Sequence, residues 1–469
     1  MIARNVFGAA ALLLLPVLGC APQLASYQPA LQRNGALHLY LQPLPQEAQR
    51  LVIHIAEIAA VREDGSLAPL QPLLAELKGA ALMGVQRRLV SATLSPGTYR
   101  GISLHIDKAS LLRDEGAADL LVPEEPLLIE EGFRVIRKAA STLFLTLDPV
   151  HLTNSGFRFT PNFSLAGPTR QLRGLLGYAT NTQSNSVSVF NKHSMEIVDT
   201  IATTSGPRGA AIDPRRGWVY VALAGDNAIE AIEVNTGVIL HRLQLNFGDE
   251  PVEIALSPDG QILVSANQGT NTASIIDTGT LREIDRVSLP SEPSSVVTSA
   301  SGRRAYLIQP LGNAISEIDV SRREVTRTLI LDETPVRGAL GRDGDNLYVI
   351  TRYSTDLLVI DAVNLTLKDR IYVGSRATCV EVDPRTNLVY VGKKSGGISV
   401  VDPASLMPID RFRVDGHVAF LDIDRDQNSL FALLPDRRSI QKIDLVSKRV
   451  EGAVEIAEEG YSVALMNSR

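Results

Sequence analysis

The chain has 469 residues, which allows two or three domains of roughly 100–200 residues each. Hydrophobic residues make up 45% and charged residues 21%, so the composition is that of a globular protein and excludes global disorder. The 46 Lys and Arg against 52 Asp and Glu give a net charge of -6, without the basic footprint expected of a nucleic-acid-binding protein. Two cysteines exclude a disulfide framework and a four-thiolate metal site.

The N-terminus has the pattern of a bacterial export signal. Arg4 precedes an apolar run from Val6 to Leu18, which is too short to span a bilayer and fits a secretory signal. The run ends in Leu18-Gly19-Cys20, which resembles the lipobox of bacterial lipoproteins. The alternatives are an ordinary signal peptide with a chance cysteine, or an N-terminal anchor helix.

The lipobox resemblance implies a signal peptide over residues 1–19 and a diacylglyceryl group on the Cys20 thiol. Residues 20–34 would then be the lipidated cysteine and a polar tether. Ala21, which is not Asp, implies sorting to the outer membrane, with the protein facing the periplasm or the cell surface. The chain is therefore expected to associate with the membrane through its own lipid anchor.

Short runs of alternating apolar residues over residues 35–168 predict a β-sandwich. The Leu73–Ala81 segment is predicted as a short helix or a loop. The predicted strands are Ala36–Leu44, Leu51–Val61, Gly101–Ile106, Ser141–Leu147 and Phe157–Leu165.

The order of these segments resembles the bacterial lipoprotein-associated domain of unknown function 4382. The resemblance rests on the strand ending at Asp64-Gly65, the Leu94–Ile106 segment with its Pro-Gly-Thr-Tyr turn, and the Leu143–Asp148 strand. The first loop departs from it, because the family's Thr-Asp-Ala-Pro is Gln42-Pro43-Leu44-Pro45 in this chain.

Residues 174–469 contain a seven-fold repeat with a period of about 42 residues. Each unit has an apolar residue followed by an acidic or amide residue, at Asn191, Glu233, Asp277, Asp319, Asp361, Asp402 and Asp444. Four short strands per unit predict a β-propeller blade. The Tyr178–Asn181 and Ser265–Asn267 segments resemble the YVTN family of propeller repeats, which implies a seven-bladed propeller and leaves the function open.

The count of strands predicts how the ring closes. Residues 174–204 supply only the second, third and fourth strands of a blade, and Gly460–Met466 supplies a lone inner strand. The two ends of the repeat are therefore expected to share one blade, which leaves no open sheet edge at the seam. The predicted fold is all-β, a β-sandwich followed by a seven-bladed propeller closed by a C-terminal inner strand.

The repeated acidic or amide residue is interpreted as a cap of the turn that follows it. Copies spread around a ring cannot converge on one metal ion, and we predict no metal site, no cofactor and no identified catalytic residue. A zinc site between His54 and His105 is a minor alternative. Cys379 is expected to be a buried strand thiol.

The candidate binding site is the rim of the central channel. The loops that lead into the inner strands are predicted to carry charged residues that converge on the ring axis. The alternative is a set of solvated, mutually paired loop charges. The candidate residues are Arg208, Glu250, Glu253, Glu292, Arg337, Arg376 and His417.

These observations predict a lipid-anchored envelope protein whose propeller is a binding or scaffolding platform for a protein or glycan partner. One alternative is a hydrolase or lactonase acting at the central funnel. The other is an accessory subunit of an envelope redox complex, in which case the redox centre would belong to the partner.

Overall fold

The computed structural model describes residues 31, 33–150, 152–154 and 157–467. The predicted signal peptide, Cys20 and most of the predicted tether lie outside these residues. The described part is almost entirely β-structure and confirms the predicted fold class, a β-sandwich followed by a seven-bladed β-propeller closed by a C-terminal inner strand. No helix in this part is long and apolar enough to cross a membrane.

The described residues of the first domain form twelve strands, with the 3₁₀ turn Gln46–Ala48 and the helix α1 (Gly79–Leu82) between them. The strands are β1 (Gly35–Leu41), β2 (Leu51–Arg62), β3 (Leu67–Leu70), β4 (Glu76–Lys78), β5 (Arg87–Leu94), β6 (Gly97–Arg113), β7 (Gly116–Leu120), β8 (Leu127–Val135), β9 (Ala140–Leu147), β10 (Thr153–Asn154), β11 (Arg158–Phe159) and β12 (Phe163–Ala166).

Two sheets face each other across one core. One has the order β12-β9-β1-β5, in which β1 and β9 are parallel, and the other has the order β3-β2-β6-β7, with β4 added to β2 and β8 added to β6. The inward residues of both sheets, such as Leu39, Ile53 and Leu104, are buried in one apolar cluster. Alternation along each strand places its apolar side chains on this inner face.

Six strands of the sandwich were not predicted from the sequence, namely β3, β4, β5, β7, β8 and β10. In β8 the alternation is interrupted at Glu130, Glu131 and Gly132, where a bulge shifts the pairing with β6 between Tyr99 and Gly101. The Leu73–Ala81 segment forms β4 and most of α1, so it contains both a strand and a helical turn.

The propeller begins after a 3₁₀ turn at Arg173–Leu175 and contains the remaining strands. Its first four blades are formed by β13 (Leu176–Asn181), β14 (Ser186–Asn191) and β15 (Glu196–Ala202) in blade 1; β16 (Pro207–Asp213), β17 (Trp218–Leu223), β18 (Ala228–Glu233) and β19 (Ile239–Gln244) in blade 2; β20 (Pro251–Leu256), β21 (Ile262–Asn267), β22 (Thr272–Asp277) and β23 (Arg282–Ser288) in blade 3; and β24 (Ser295–Thr298), β25 (Arg304–Gln309), β26 (Ala314–Asp319) and β27 (Glu324–Ile330) in blade 4.

The last three blades repeat this pattern, and the final strand returns to blade 1. They are formed by β28 (Pro335–Leu340), β29 (Asn346–Thr351), β30 (Asp356–Asp361) and β31 (Thr366–Tyr372) in blade 5; β32 (Ala377–Val382), β33 (Val389–Lys393), β34 (Ile398–Asp402) and β35 (Met407–Phe412) in blade 6; and β36 (Phe420–Asp424), β37 (Ser429–Leu434), β38 (Ser439–Asp444), β39 (Val450–Glu455) in blade 7, followed by β40 (Gly460–Leu465). Blades 2 and 7 also contain the 3₁₀ turns Ala224–Asp226 and Pro435–Arg437.

The repeated acidic or amide residue has the capping role predicted for it. In every blade its side chain accepts a hydrogen bond from a backbone N–H two or three residues further on. Asp361, for example, accepts from the N–H groups of Val363 and Asn364 at 2.9 and 2.8 Å. These hydrogen bonds satisfy backbone N–H groups of the turn between the third and fourth strands, which allows the turn to be tight.

The ring closes through blade 1, whose sheet order is β15-β14-β13-β40. The inner strand β40 pairs with β13 in an antiparallel register that runs from Gly177 opposite Leu465 to Asn181 opposite Gly460. On the far side of the seam the buried Lys192 ammonium contacts Asp424 of blade 7 at 2.7 Å and donates to the Met466 carbonyl at 2.5 Å. One buried cation therefore links blade 1, blade 7 and the end of β40.

The sandwich packs against the outer edge of blade 1. The Gln86 side chain donates to the Ile197 carbonyl at 3.0 Å and accepts from the Ile197 N–H at 2.8 Å, so an amide pairs with β15 as a further strand would. Tyr40 and Phe144 of the sandwich lie in one apolar cluster with residues of the propeller. The outermost strand of this blade is thus protected by the sandwich.

Deletion of Gly460–Arg469 is expected to cause aggregation or a severe loss of thermal stability. It removes the inner strand of blade 1 and the Met466 carbonyl, and exposes the edge of β13 together with apolar surface of two blades. The measurement is Tm by calorimetry with light scattering, and deletion of residues 468–469 alone is the matched control. An equally stable monomer after the longer deletion would contradict the role assigned to β40.

Candidate functional site

The seven inner strands all begin at one side of the disc, which we call the mouth face. It carries the loops between successive blades and the loops that join the second and third strands of each blade. Of the seven predicted rim residues, Glu250, Glu292, Arg376 and His417 lie in the loops leading into inner strands. The other three lie within inner strands, which corrects their assignment to loops: Arg208 in β16, Glu253 in β20 and Arg337 in β28.

Arg208 borders a cavity of about 530 Å³ at the mouth. Its Nη1 donates to the Gln268 side-chain oxygen at 3.3 Å, and its guanidinium lies 5.7 Å from the ring centre of Tyr461. The wall of the cavity comes from blades 1, 2, 3, 4 and 7. The lining residues are Thr182, Arg208, Val252, Gln268, Ser294, Pro435, Glu459, Gly460 and Tyr461.

Glu253 and Arg337 form an ion pair across the ring axis. The Arg337 Nη2 lies 3.2 Å from the Glu253 Oε1, although the two side chains come from blades 3 and 5. The Arg337 guanidinium also packs over the Phe420 ring of blade 7, 4.7 Å from its centre. Arg337 is largely buried, so it is a fixed part of the channel and not a solvated rim charge.

The four loop residues do not converge on this pair or on one another in any contact among the described residues. Glu250 and Arg376 are exposed and have left-handed backbone conformations, with φ of 46° and 61°. The His417 N–H donates to the Asp436 carboxylate at 3.0 and 3.2 Å, and partial burial lowers the pKa of the His417 imidazole. These residues are individual features of the mouth face.

Sequence reasoning missed two carboxylates of the inner strands, Glu381 in β32 and Asp422 in β36. Burial, together with the smaller effect of the nearby Asp422 carboxylate, raises the pKa of Glu381 to about 8. Burial likewise raises the pKa of Asp422 to about 7, although the Leu465 N–H donates to its Oδ2 at 3.0 Å. One buried carboxylate beside another favours a protonated form of the pair at neutral pH.

A signal for these carboxylates was present in the repeat. Each inner strand has one residue paired with the repeated aromatic residue of the second strand, which is Val264 in blade 3. Five of these inner-strand residues are small and apolar: Ala211, Ala255, Val297, Ala339 and Ala464. Glu381 and Asp422 occupy the same position opposite Tyr390 and Phe431. A comparison of the units position by position would have identified both.

The remaining reactive residues do not form a site. Cys379 is buried, as predicted, and burial raises the pKa of its thiol to about 12. His54 contacts Asp107 at 2.5 Å and is opposite Lys108 in the sheet, whereas His105 is opposite Glu57. Within the described residues no three His, Cys, Asp or Glu side chains are grouped so that they could hold a metal ion.

Three large apolar side chains project from the mouth face on neighbouring blades. Phe247 precedes the inner strand of blade 3 and is 98% exposed, Leu311 lies in the β25–β26 loop of blade 4 and is 72% exposed, and Tyr353 lies in the β29–β30 loop of blade 5 and is 84% exposed. We call these three residues the apolar arc. Glu250, Glu292 and Asp332 lie in the loops of the same blades.

Comparison with known proteins supports the propeller. The seven-bladed beta-propeller protein Rv1057 of Mycobacterium tuberculosis is 34% identical over 139 residues, which is 28% of this chain and 35% of that protein. The chain thus matches about a third of the length of that relative. No protein-family profile matches the chain, so the resemblance of residues 35–168 to domain of unknown function 4382 stays a prediction.

Solved structures show the same fold at low sequence identity. A functionally unknown protein from Desulfotomaculum acetoxidans has a TM-score of 0.58 and 14% identity, covering 63% of this chain and 99% of its own. Hydrazine synthase of Kuenenia stuttgartiensis has a TM-score of 0.51 and 17% identity, covering 55% and 89%. Dihydro-heme d1 dehydrogenase NirN has a TM-score of 0.51 and 12% identity, covering 64% and 77%. Together with the relative, these structures define the class of the chain as a β-propeller protein.

The buried carboxylates predict a specific pH dependence of stability. A carboxyl whose pKa is higher in the folded chain favours folding in its protonated form. This contribution is present below the unfolded pKa of about 4.3 and is lost as the pH rises through the folded pKa of about 8 for Glu381. We therefore expect Tm to fall between pH 5 and pH 8, and Glu381→Gln to reduce that fall.

The measurement is Tm at half-unit pH steps for the wild type, Glu381→Gln and Asp422→Asn. Glu131→Gln, which changes an exposed carboxylate of the sandwich, is the matched control and should leave the pH profile unchanged. Parallel profiles for the wild type and Glu381→Gln would contradict the assignment of a raised pKa to Glu381.

Proposed function

We propose that the chain is a lipid-anchored protein of the cell envelope whose propeller is a binding platform for a protein or glycan partner. The propeller supports a binding or scaffolding role in general, because it is a rigid disc with many loops on one face. The observation that supports this proposal best is the apolar arc on the mouth face. Large side chains exposed to this degree on adjacent loops are typical of an interaction surface.

The chemistry around the apolar arc favours a protein partner. Phe247 and Tyr353 could stack on either a sugar or a protein side chain, but the aliphatic Leu311 between them suits a protein surface. The acidic residues Glu250, Glu292 and Asp332 in the same blades would complement a partner with lysine and arginine around an apolar centre. The partner would thus dock on blades 3 to 5, away from the sandwich at blade 1.

The alternatives depend on other parts of the propeller. Hydrolysis at the central funnel would use Glu381 and Asp422, whose raised pKa values suit acid–base chemistry. An accessory role in a redox complex is suggested by the titles of two structural neighbours, hydrazine synthase and dihydro-heme d1 dehydrogenase, at identities that show the fold alone. The platform is preferred because the apolar arc is exposed, whereas the channel carboxylates lie near an ion pair that crosses the axis.

Loss of the apolar arc should abolish partner binding without affecting the fold. The double variant Phe247→Ser, Tyr353→Ser is expected to reduce recovery of the cross-linked partner at least about tenfold, because central aromatic residues contribute about 2 kcal/mol or more to such interfaces. Tm should be unchanged, since both side chains are exposed. The readout is quantitative mass spectrometry of partners from detergent-solubilised envelope.

The matched control for this experiment is Met407→Ser, Val446→Ser, which changes two exposed apolar side chains of blades 6 and 7 outside the mouth face. Arg208→Ala and Arg376→Ala should alter recovery by less than about threefold, because neither residue belongs to the apolar arc and a single charge at the protein surface contributes little. Equal recovery from the arc variant and the control would contradict the platform. Turnover of a lactone panel that Glu381→Gln abolishes would favour the hydrolase instead.

Substitution of the predicted acyl acceptor tests the envelope location. Cys20→Ser should keep the full precursor mass and should not incorporate a fatty-acid analogue, because the thiol is the group that accepts the lipid. The measurement is intact mass together with metabolic labelling. Cys379→Ser is the matched control, since it removes the buried thiol and should leave labelling unchanged; equal labelling of the wild type and Cys20→Ser would refute the lipid anchor.

A further inference from the structure

A carboxylate recurs in the propeller immediately before the inner strands, and each copy is held by an arginine. Asp249, two residues before β20, accepts hydrogen bonds from Nη1 and Nη2 of Arg286 at 2.6 and 2.8 Å. Glu333, two residues before β28, pairs with Arg370. Glu458, two residues before β40, accepts a hydrogen bond from Nη2 of the sandwich residue Arg88 at 2.9 Å. Three blades therefore share one structural element, a carboxylate of the leading loop and an arginine at the outer side.

Blade 6 has the backbone of this element but not its carboxylate. Two residues before β32 the chain has Ser375. The glycine before this position has a left-handed backbone in blades 3 and 6, with φ of 84° at Gly248 and 89° at Gly374. The residue after it, Glu250 or Arg376, is left-handed as well. Ser375 thus occupies the position that Asp249 has in blade 3.

The arginine of the element is present in blade 6. Arg411 of β35 pairs with Ser399 of β34, as Arg286 of β23 pairs with Ser274 of β22. Its guanidinium lies over Gly397, where an added Cβ would be 3.3 Å from Nε. Arg286 lies in the same way beside Thr272, with its Nη1 at 3.5 Å from the hydroxyl.

A second cation replaces a neutral side chain in the same blade. Lys393 ends β33, at the position where blade 3 has Asn267 and blade 5 has Thr351, whose hydroxyl donates to Glu333. Lys393 is only 9% exposed, and an added Cβ at Gly374 would lie 3.1 Å from its Nζ. The ammonium is therefore beside the backbone that carries Ser375.

Neither cation has an acidic partner in the part of the chain that the structure describes, where each of Arg242, Arg286 and Arg370 has one. Burial lowers the pKa of Lys393, and the positive charge of Arg411 lowers it further. The Arg411 side chain is exposed to solvent, so the cost falls on the buried Lys393, whose ammonium lacks a counter-charge and is repelled by Arg411. An anion supplied from outside would remove that cost.

We propose that blade 6 binds a carboxylate between Lys393 and Arg411, in the place that the chain's own carboxylates occupy in blades 1, 3 and 5. The carboxylate could belong to a small organic acid or to an acidic side chain of a partner, and the recognising chemistry is the same. The site does not depend on the apolar arc, which lies on other blades.

The decisive variant supplies the missing carboxylate within the chain. Ser375→Asp is expected to raise Tm by about 1–3 °C, because it restores the element of blade 3. Ser205→Asp is the matched control. It introduces the same residue two residues before β16, but Arg242 of that blade is already paired with Asp226 and Glu230, so Tm should fall or stay unchanged.

The ligand is tested with two probes, sodium succinate and a capped Gly-Glu-Gly peptide, each against sodium chloride at equal ionic strength. At least one of the two probes should raise the Tm of the wild type. The rise should be absent in Ser375→Asp, where the introduced carboxylate fills the site, and in Lys393→Met, which lacks the ammonium. A response to succinate alone indicates a free acid, and a response to the peptide indicates a protein side chain.

Three results would overturn the proposal. The wild type could show no response to either probe, even if Ser375→Asp is stabilised. The response could persist in Ser375→Asp, which would place the bound anion elsewhere. Ser375→Asp could also destabilise the protein as much as Ser205→Asp does, which would mean that Lys393 and Arg411 do not face Ser375. Because Ser375→Asp keeps both cations, the test remains decisive if Lys393→Met does not fold.

Discussion

The pairing of β40 with β13 is the constraint on which the propeller depends. The two strands come from opposite ends of the repeat, and the Ser462 and Thr180 hydroxyls that meet across them at 3.0 Å are separated by 282 residues in the sequence. A ring of seven sheets has no exposed inner edge only when this pair forms. The entropic cost of closing a loop grows only slowly with the length of the loop. A modest number of contacts between the two strands can therefore hold the ring closed.

The contacts that hold the seam closed are distributed over its depth. At the mouth face the Thr180 and Ser462 hydroxyls both donate to the Arg208 carbonyl of blade 2. At the opposite face the buried Lys192 joins Asp424 and the Met466 carbonyl. A buried ammonium is tolerable there because its charge is compensated and hydrogen-bonded, and it fixes the position of blade 1 relative to blade 7.

The sandwich completes the blade that closes the ring. In blades 3 and 5 the leading-loop carboxylate is held by an arginine of the outer strand, but the equivalent residue of blade 1 is Thr200, opposite Ser188. Arg88 of β5 supplies the missing guanidinium to Glu458, and Gln86 pairs with the free edge of β15. The first domain therefore has a structural function in the second.

The extent to which the sequence predicted this structure follows the strength of its periodicity. The propeller was predictable strand by strand, because seven copies of one pattern average out the local irregularities of single blades. The sandwich has a single copy of each strand, and β8 was missed because the bulge at Glu131 disrupts its alternation. Arg337 was assigned to a loop although it lies in β28, and the sequence does not show that its side chain reaches Glu253 of blade 3.

The repeat is also the best guide to function, because the other blades define what the fold itself requires. The blade pattern does not require a carboxylate at Glu381 or Asp422, since Ala or Val suffices at that position in the other five, although Asp422 also accepts from the Leu465 N–H of β40. The same comparison distinguishes Ser375, whose counterparts Asp249 and Glu333 each pair with an arginine. It also distinguishes Lys393, whose counterparts in blades 3 and 5 are the neutral residues Asn267 and Thr351. Residues that the fold requires recur around the ring. A charge that occurs in only one or two blades and has no counter-charge there must instead be balanced by a ligand, a proton or a partner.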